Sequence, residues 1–314
     1  MSSMKHTSRE PPQAIRGADE DLAGTANEVH GAWDDPLKLL KRYGIRPDKR
    51  LGQNFLVDGM ALRKIVDAAG LSGDETILEI GAGLGTLTRE LARRSKRVVA
   101  VEYDRRLVGV LEEVLAPLSN VELIQADILG LDLGVLMGSG PYRVVANIPY
   151  NITSALIRHL LEAPNPPEQL ILTLQREVAE RAIAEPGAMS LLALSVQLYG
   201  VPKIVASIPP GAFYPRPKVA SAVLRVEVHE RPVVPRALIS SLFRVAKAGF
   251  SQRRKQLHNS LSAGLGLPDG AVRAWLESAG IPREARAQEL GLKEWEKLAM
   301  LHVEGGGGED VRLA

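Results

Sequence analysis

The sequence predicts an α/β fold, an open and mostly parallel sheet followed by a small all-helical part, and three observations carry that expectation. Thr76-Ile77-Leu78-Glu79-Ile80 is a short apolar run that turns through Gly81, Gly83 and Gly85 straight into helical spacing to about Ser95; small residues at such a turn let a ligand approach the backbone at a helix N-terminus. Strand-like and helix-like segments then alternate as far as Leu174, as parallel βα units require. Beyond about Glu230 the strand signals stop, and helical segments follow over 235–248, 252–262, 268–279 and 292–301.

Composition narrows the class. The 314 residues are 45% hydrophobic and 24% charged, which suits a soluble globular chain with a large core. The absence of cysteine excludes a disulfide framework, thiolate metal sites and a cysteine nucleophile. The six histidines are scattered, so no metal is expected. No apolar run approaches the roughly 20 residues of a membrane span, and the first 35 residues hold no signal-peptide core, so a cytoplasmic location without a membrane partner is expected. Charge is uneven: Met1 to Asp35 carries 3 Lys/Arg against 7 Asp/Glu, whereas His229 to His302 carries 12 against 7. An excess of that size is usually a solvated face, and by itself points only weakly to nucleic acid.

Residues 1–34 lack apolar periodicity and read as a disordered acidic tail. Asp35-Pro36 starts a helix that Gly44 stops. The segment from Lys49 to Asp58 has no clear period and is too polar for a strand; it reads as a loop, either a connector or a lid whose Gln53 and Asn54 face a ligand. Asp58 then caps a helix with Leu62, Ile65, Val66 and Ala69 on one face.

At the glycine turn, Thr86 stands where the dinucleotide fingerprint needs its third glycine. Glu79 precedes the glycines, and a carboxylate there repels a pyrophosphate but suits a cationic amine or sulfonium, which favours S-adenosylmethionine over NAD. The strand 97–101 ends in Glu102, 17 residues after Gly85, where an acid can grip both ribose hydroxyls. The strand 121–125 leads to Asp127, whose carboxylate can accept from an adenine amine. A single acid of this kind is ordinarily a surface charge; three at successive strand ends favour a site.

The strand 142–146 delivers Asn147-Ile148-Pro149-Tyr150 to the same rim. Carbonyl acceptors and an aromatic face there make a pocket for a flat amine, the alternative being a strand end with a proline turn. A helix over 153–162, a strand over 170–174, helices over 175–184 and 191–198, and antiparallel strands over 201–208 and 219–228 follow. Between the last two strands, prolines stiffen the loop from Phe213 to Val219, which can present Phe213 as a second wall of a base pocket and Arg216 and Lys218 to phosphates; the commoner role of such a phenylalanine is a buried anchor. Arg253, Arg254 and Lys255 form the densest basic cluster, either a phosphate grip or a solvated helix start.

Together, Leu51 to Leu56, Glu79 to Thr88, Glu102, Asp127, Asn147 to Tyr150, Phe213 to Val219 and Phe250 to Lys255 resemble the ribosomal RNA adenine N6-dimethyltransferases, over about Leu37 to Leu301. The resemblance implies a class I S-adenosylmethionine-dependent methyltransferase fold, Rossmann-like with a seven-stranded mixed sheet, over residues 35–229. It further implies a helical domain over 230–302 that binds RNA and the ribosome; by composition, Gly305 to Gly308 and the last residues read as a flexible tail over 303–314. It implies that Asn54 and Leu56 line the methionine end of the cofactor, that Gly81 and Gly83 contact it by backbone, and that Glu102 holds the ribose, Asp127 the adenine, and Asn147 both cofactor and target amine. Asn147, Pro149, Tyr150 and Phe213 are then the catalytic set, with Tyr150 and Phe213 sandwiching the target base, and Arg216, Lys218, Arg253, Arg254 and Lys255 contact RNA. Ile148 stands where leucine is usual. The implied activity is dimethylation of two adjacent adenosines near the 3′ end of 16S rRNA within an immature small ribosomal subunit, by a monomer. The alternatives are a macrolide-resistance-type 23S rRNA methyltransferase and a mainly non-catalytic assembly factor.

Overall fold

The computed structural model describes residues 35–149 and 152–307; the tail 1–34, Tyr150, Asn151 and residues 308–314 lie outside them. The chain begins with α1 (Pro36–Arg42), β1 (Phe55–Leu56), α2 (Gly59–Ala68), β2 (Thr76–Ile80), α3 (Thr86–Ala92), β3 (Arg97–Glu102), α4 (Arg105–Leu115) and β4 (Val121–Gln125). It continues with α5 (Leu133–Met137), β5 (Arg143–Asn147), α6 (Thr153–Leu161), β6 (Gln169–Gln175), α7 (Arg176–Ala182), α8 (Leu191–Gln197), β7 (Gly200–Ile208), β8 (Phe213–Tyr214) and β9 (Ser221–Val228). The last helices are α9 (Arg236–Phe250), α10 (Leu257–Leu265), α11 (Asp269–Ala279) and α12 (Leu292–His302).

Seven strands form one sheet in the order β4-β3-β2-β5-β6-β9-β7. Strands β2 to β6 pair in parallel, and β9 lies antiparallel between β6 and β7. Side chains alternate across the sheet as the pleat dictates. Ile77, Val98, Ala100 and Val145 pack under α1 to α4, while Leu78, Val99, Val144 and Ala146 face the other layer. That second cluster runs without a break from Leu172 and Leu194 into Leu242, Val245, Leu261 and Trp295, so the C-terminal helices share one apolar core with the sheet.

Several helix starts follow the sequence signals. Asp58 accepts from the Ala61 N–H at 2.7 Å and Asp104 from the Arg106 N–H at 3.1 Å, caps worth about 1 kcal/mol each. Three expectations change. The segment 49–58 is not all loop: Phe55 and Leu56 pair antiparallel with Tyr214 and Phe213, because burying two apolar side chains outweighs the polarity of their neighbours. The second C-terminal helix starts at Leu257, and Gln252 to Lys255 form a turn, since three successive cations oppose the positive end of a helix dipole. Residues 303–307, expected in the tail, follow α12 as a further turn that kinks at Gly306, where φ is +81°. The short helix α5, capped by Asp132, was not expected.

The chain leaves β2 for β3 and β4, then returns to the other side of β2 as β5. The β2/β5 boundary is therefore the switch point, where an open parallel sheet leaves a crevice at the carboxyl ends of its strands. Among the described residues no helix is long and apolar enough to cross a membrane, and no group of three His, Asp or Glu is placed to hold a metal ion.

Candidate active site

A cavity of ≈310 Å³ opens at that crevice. Its walls come from the loop before β1 (Gln53, Asn54), the glycine turn after β2 (Gly81, Gly83), the end of β3 (Glu102), the residues after β4 (Asp127) and the end of β5 (Asn147, Pro149). Seven of the expected site residues thus meet in one place, although the stretches that supply them lie far apart in sequence.

The glycine turn is built for close approach. Gly83 has φ +62°, and a Cβ there would lie 3.4 Å from the Phe55 ring. Its N–H donates to Glu102 Oε2 at 2.8 Å, and that of Gly81 donates to the Val101 carbonyl at 2.8 Å. Backbone contact between these glycines and a ligand therefore falls to their carbonyls, acceptors that suit a cation.

Glu102 is buried and also accepts the Asp104 N–H at 2.8 Å. Burial raises its carboxyl above the ordinary range, with the Asp104 and Gly83 N–H groups opposing the shift. Asp127 is exposed at the cavity edge and accepts from the Leu129 N–H at 3.0 Å. Asn147 donates through Nδ2 to the Asn54 carbonyl at 3.1 Å, which leaves Oδ1 as its acceptor. The Pro149 carbonyl accepts from the Ile152 N–H at 3.3 Å and retains a second lone pair.

Glu79 is not on the main cavity. It lines a recess of ≈40 Å³ beside it, with Leu56, Gly81, Gly83, Thr86 and Asn147. The side chain is 1% exposed, and neither carboxylate oxygen makes a well-formed hydrogen bond, the Thr88 hydroxyl being near enough only to ease its ionisation; the Thr86 hydroxyl has no partner. Burial pushes the Glu79 carboxyl up to about 8, only partly opposed by the nearby Thr88 hydroxyl. A buried carboxyl with no cation of its own is costly unless a ligand supplies one. The recess thus fits the ammonium of S-adenosylmethionine, and the acids Glu102 and Asp127 beside the larger cavity fit its ribose and adenine.

Other expected residues lie elsewhere. Phe213 is 3% exposed, sits opposite Leu56 in the β1–β8 pair and lines neither cavity in the ligand-free fold. Arg216 and Lys218 are exposed in the proline loop after β8, and Arg253, Arg254 and Lys255 are exposed in the turn before α10; none lines the cavity. Tyr150 lies outside the described residues. Sequence reasoning missed Asp104, which is bonded to Gln53 at 2.7 Å; its one signal was a helix-capping acid two positions beyond Glu102.

The sequence model of the ribosomal RNA adenine dimethylase family matches residues 45–301. The ribosomal RNA small subunit methyltransferase A of Dehalococcoides mccartyi is 41% identical over 268 residues, covering 85% of this chain and 92% of that protein. The crystal structure of the 23S rRNA methyltransferase ErmE superposes with a TM-score of 0.63 at 31% identity, covering 79% of this chain and 99% of that one. A dimethyladenosine transferase from Plasmodium falciparum has the same fold, with a TM-score of 0.65 at 24% identity over 79% of this chain and 97% of that one. A family match across most of the described residues, over a fold and a cavity of the expected kind, makes this chain a member of the ribosomal RNA adenine dimethylase family.

Proposed function

We propose that the protein transfers methyl groups from S-adenosylmethionine to N6 of two adjacent adenosines near the 3′ end of small-subunit rRNA, giving N6,N6-dimethyladenosine during ribosome biogenesis. The observation that carries this reading is the meeting of Asn147 and Pro149 with Glu102 and Asp127 on one cavity beside the buried Glu79.

S-adenosylmethionine supplies an electrophilic methyl group on a sulfonium. The protein's part is to orient the acceptor, because an aromatic amine is a poor nucleophile while its lone pair is delocalised into the ring. Oδ1 of Asn147 and the Pro149 carbonyl accept the two amine hydrogens and favour a pyramidal nitrogen whose lone pair points into the cavity. Tyr150, next in sequence, offers a stacking face for the base. Among the described residues no histidine or lysine lines the cavity, which suits a transfer that needs no strong base. Glu102 grips ribose hydroxyls, Asp127 accepts from the cofactor's adenine, and Asn54 and Leu56 flank its methionine end. Dimethylation needs room for the first methyl and an unstacked adenine in the RNA.

The helices between 230 and 302, with 12 basic against 7 acidic side chains over 229–302, are assigned to RNA and ribosome binding. Arg216, Lys218, Arg253, Arg254 and Lys255 contact phosphates in this reading, and a monomer acts in the cytoplasm on an immature subunit. Dimethylation of 23S rRNA is the second reading, favoured by the likeness to ErmE; the higher identity to the small-subunit relative supports the first. The test is transfer of tritiated methyl to unmethylated ribosomal subunits, followed by mass mapping. Label is expected at paired adenosines of small-subunit rRNA, and label confined to large-subunit RNA would overturn the assignment.

A further inference from the structure

We infer that Gln53 and Asp104 form a latch that holds the Asn54 loop over the cavity, which makes both of them positioning residues for cofactor binding. The inference rests on the cavity being the S-adenosylmethionine site.

Both ends of the Gln53 amide are engaged. Its Oε1 accepts the Asp48 N–H at 2.8 Å, and its Nε2 donates to Asp104 Oδ2 at 2.7 Å. An amide is the group this position requires, since it must accept from a backbone N–H at one end and donate to a carboxylate at the other. Asp104 is buried and caps α4 through Oδ1, which accepts the Arg106 N–H, while the Arg106 guanidinium bonds Oδ1 at 2.9 Å and Oδ2 at 2.6 Å. Those bonds to Arg106 hold the Asp104 carboxyl below its ordinary range, so Gln53 donates to an ionised and therefore stronger acceptor.

The latch connects to the rest of the site. The Asp104 N–H donates to Glu102 Oε1, and Glu102 Oε2 accepts the Gly83 N–H, each at 2.8 Å. A continuous path thus runs from the loop through Asp104 and Glu102 to the glycine turn. On the opposite side the same loop is held by Asn147 Nδ2 on the Asn54 carbonyl. The loop is tied to two walls of the cavity before any ligand arrives, which lowers the ordering cost of binding. A helix cap alone would need Asp104 but not Gln53.

The test exchanges the polarity of the bond. Gln53→Glu sets two carboxylates against each other, and Asp104→Asn keeps an oxygen for the α4 cap while turning an NH₂ toward the Gln53 NH₂. Each is expected to weaken S-adenosylhomocysteine binding, measured calorimetrically on the full chain, by about 10- to 100-fold. In the double variant the new amide donates to the new carboxylate, whose other oxygen still accepts the Asp48 N–H, at unchanged net charge. Arg106 keeps Oδ1, and its Nη2, displaced from the Oδ2 position, turns to the new carboxylate. Its affinity should return to within about threefold of wild type. Hydrogen exchange over residues 48–54 of the ligand-free protein should quicken in both single variants and slow again in the double one. Gln53→Ala, which touches no helix cap, should behave like the other single variants.

Single variants that bind and exchange like wild type, or a double variant no better than the weaker single, would overturn the latch. A wild type that binds no S-adenosylhomocysteine would overturn the cofactor reading instead, and hydrogen exchange would still decide whether the latch exists.

Discussion

The recess behind the glycine turn and the C-terminal helices treat buried polar groups differently. Behind the glycine turn, the Glu79 carboxyl and the Thr86 hydroxyl are enclosed in the small recess without a well-formed hydrogen bond. In the helices, buried His258 is held through Nδ1 by Asp269 at 2.6 Å and through Nε2 by Gln256 at 3.0 Å, and the Ser241 hydroxyl lies 2.7 Å from His302 Nδ1 and 3.0 Å from the Ala299 carbonyl. The Ser262 hydroxyl and the Trp295 N–H are exceptions there. Each unsatisfied buried group costs about 1–3 kcal/mol, so a cluster of them beside a cavity marks a place completed by a ligand. The contrast teaches that the recess behind the glycine turn trades stability for chemistry, while most buried polar side chains of the helices find their partners within the helices.

The largest test of that division is Asn147→Ala. Loss of the acceptor aimed at the target amine should lower methyl transfer to unmethylated small subunits by about 10²- to 10³-fold, with RNA affinity in filter binding unchanged. Unchanged turnover would remove Asn147 from the mechanism and leave its bond to the Asn54 carbonyl as a structural tie.

Glu79→Gln probes the cost side of the comparison. The Glu79 carboxyl titrates near 4.5 when unfolded and is pushed up to about 8 by burial in the fold. The folded, ligand-free protein then binds the proton more tightly than the unfolded chain. Its contribution to stability is fully present below 4.5 and is lost as the pH rises through about 8. Melting curves between about pH 5 and pH 8 should show the wild type losing stability relative to Glu79→Gln. S-adenosylmethionine should reverse the order, because its ammonium favours the ionised carboxylate and the variant has none. Parallel melting curves at all pH values would mean that Glu79 is solvated in the fold.

The parts of this site that were legible in the sequence share one property. Glu102, Asp127 and Asn147 each end or follow an apolar run, so finding the strand finds the residue, and parallel pairing brings all three to one rim. The glycine turn was legible for the same reason. What was hidden depends on tertiary contact. Phe55-Leu56 and Phe213-Tyr214 are too short to show a period of two, and their pairing joins stretches separated by the whole central sheet. The Gln53–Asp104 bond spans 51 positions and exists because the loop folds back over the crevice. Phe213 sits in a loop whose prolines suggested presentation, and in the ligand-free fold its ring is buried with the apolar cluster that includes Phe55 and Leu56.

A third substitution acts on the helical side. A Cβ added at Gly249 would lie 2.6 Å from the Trp295 ring and 3.0 Å from Leu257, where α9 meets α12 and α10. Gly249→Ala should therefore destabilise the fold by about 1–3 kcal/mol, read as a lower melting temperature, while calorimetric affinity for S-adenosylhomocysteine stays at the wild-type value. A fall in affinity matching the loss of stability would tie the helices to the cavity and erase the division.

If the helical interior serves stability, its contribution to function has to lie on its surface, and Arg253, Arg254 and Lys255 are where that surface is most basic. They are exposed in the turn before α10, and the nearby His258–Asp269 pair fixes the start of that helix without drawing on them. Replacing all three with alanine removes up to three phosphate contacts. The slope of log affinity against log salt should then flatten by about 2 to 3 units, with a modest loss of affinity at physiological salt. Melting temperature and cofactor affinity should not move, since the three side chains are exposed and none of them lines the cavity. An unchanged salt slope would reduce the cluster to a solvated turn and shift target selection to other basic side chains, Arg216 and Lys218 in the proline loop being the first to test.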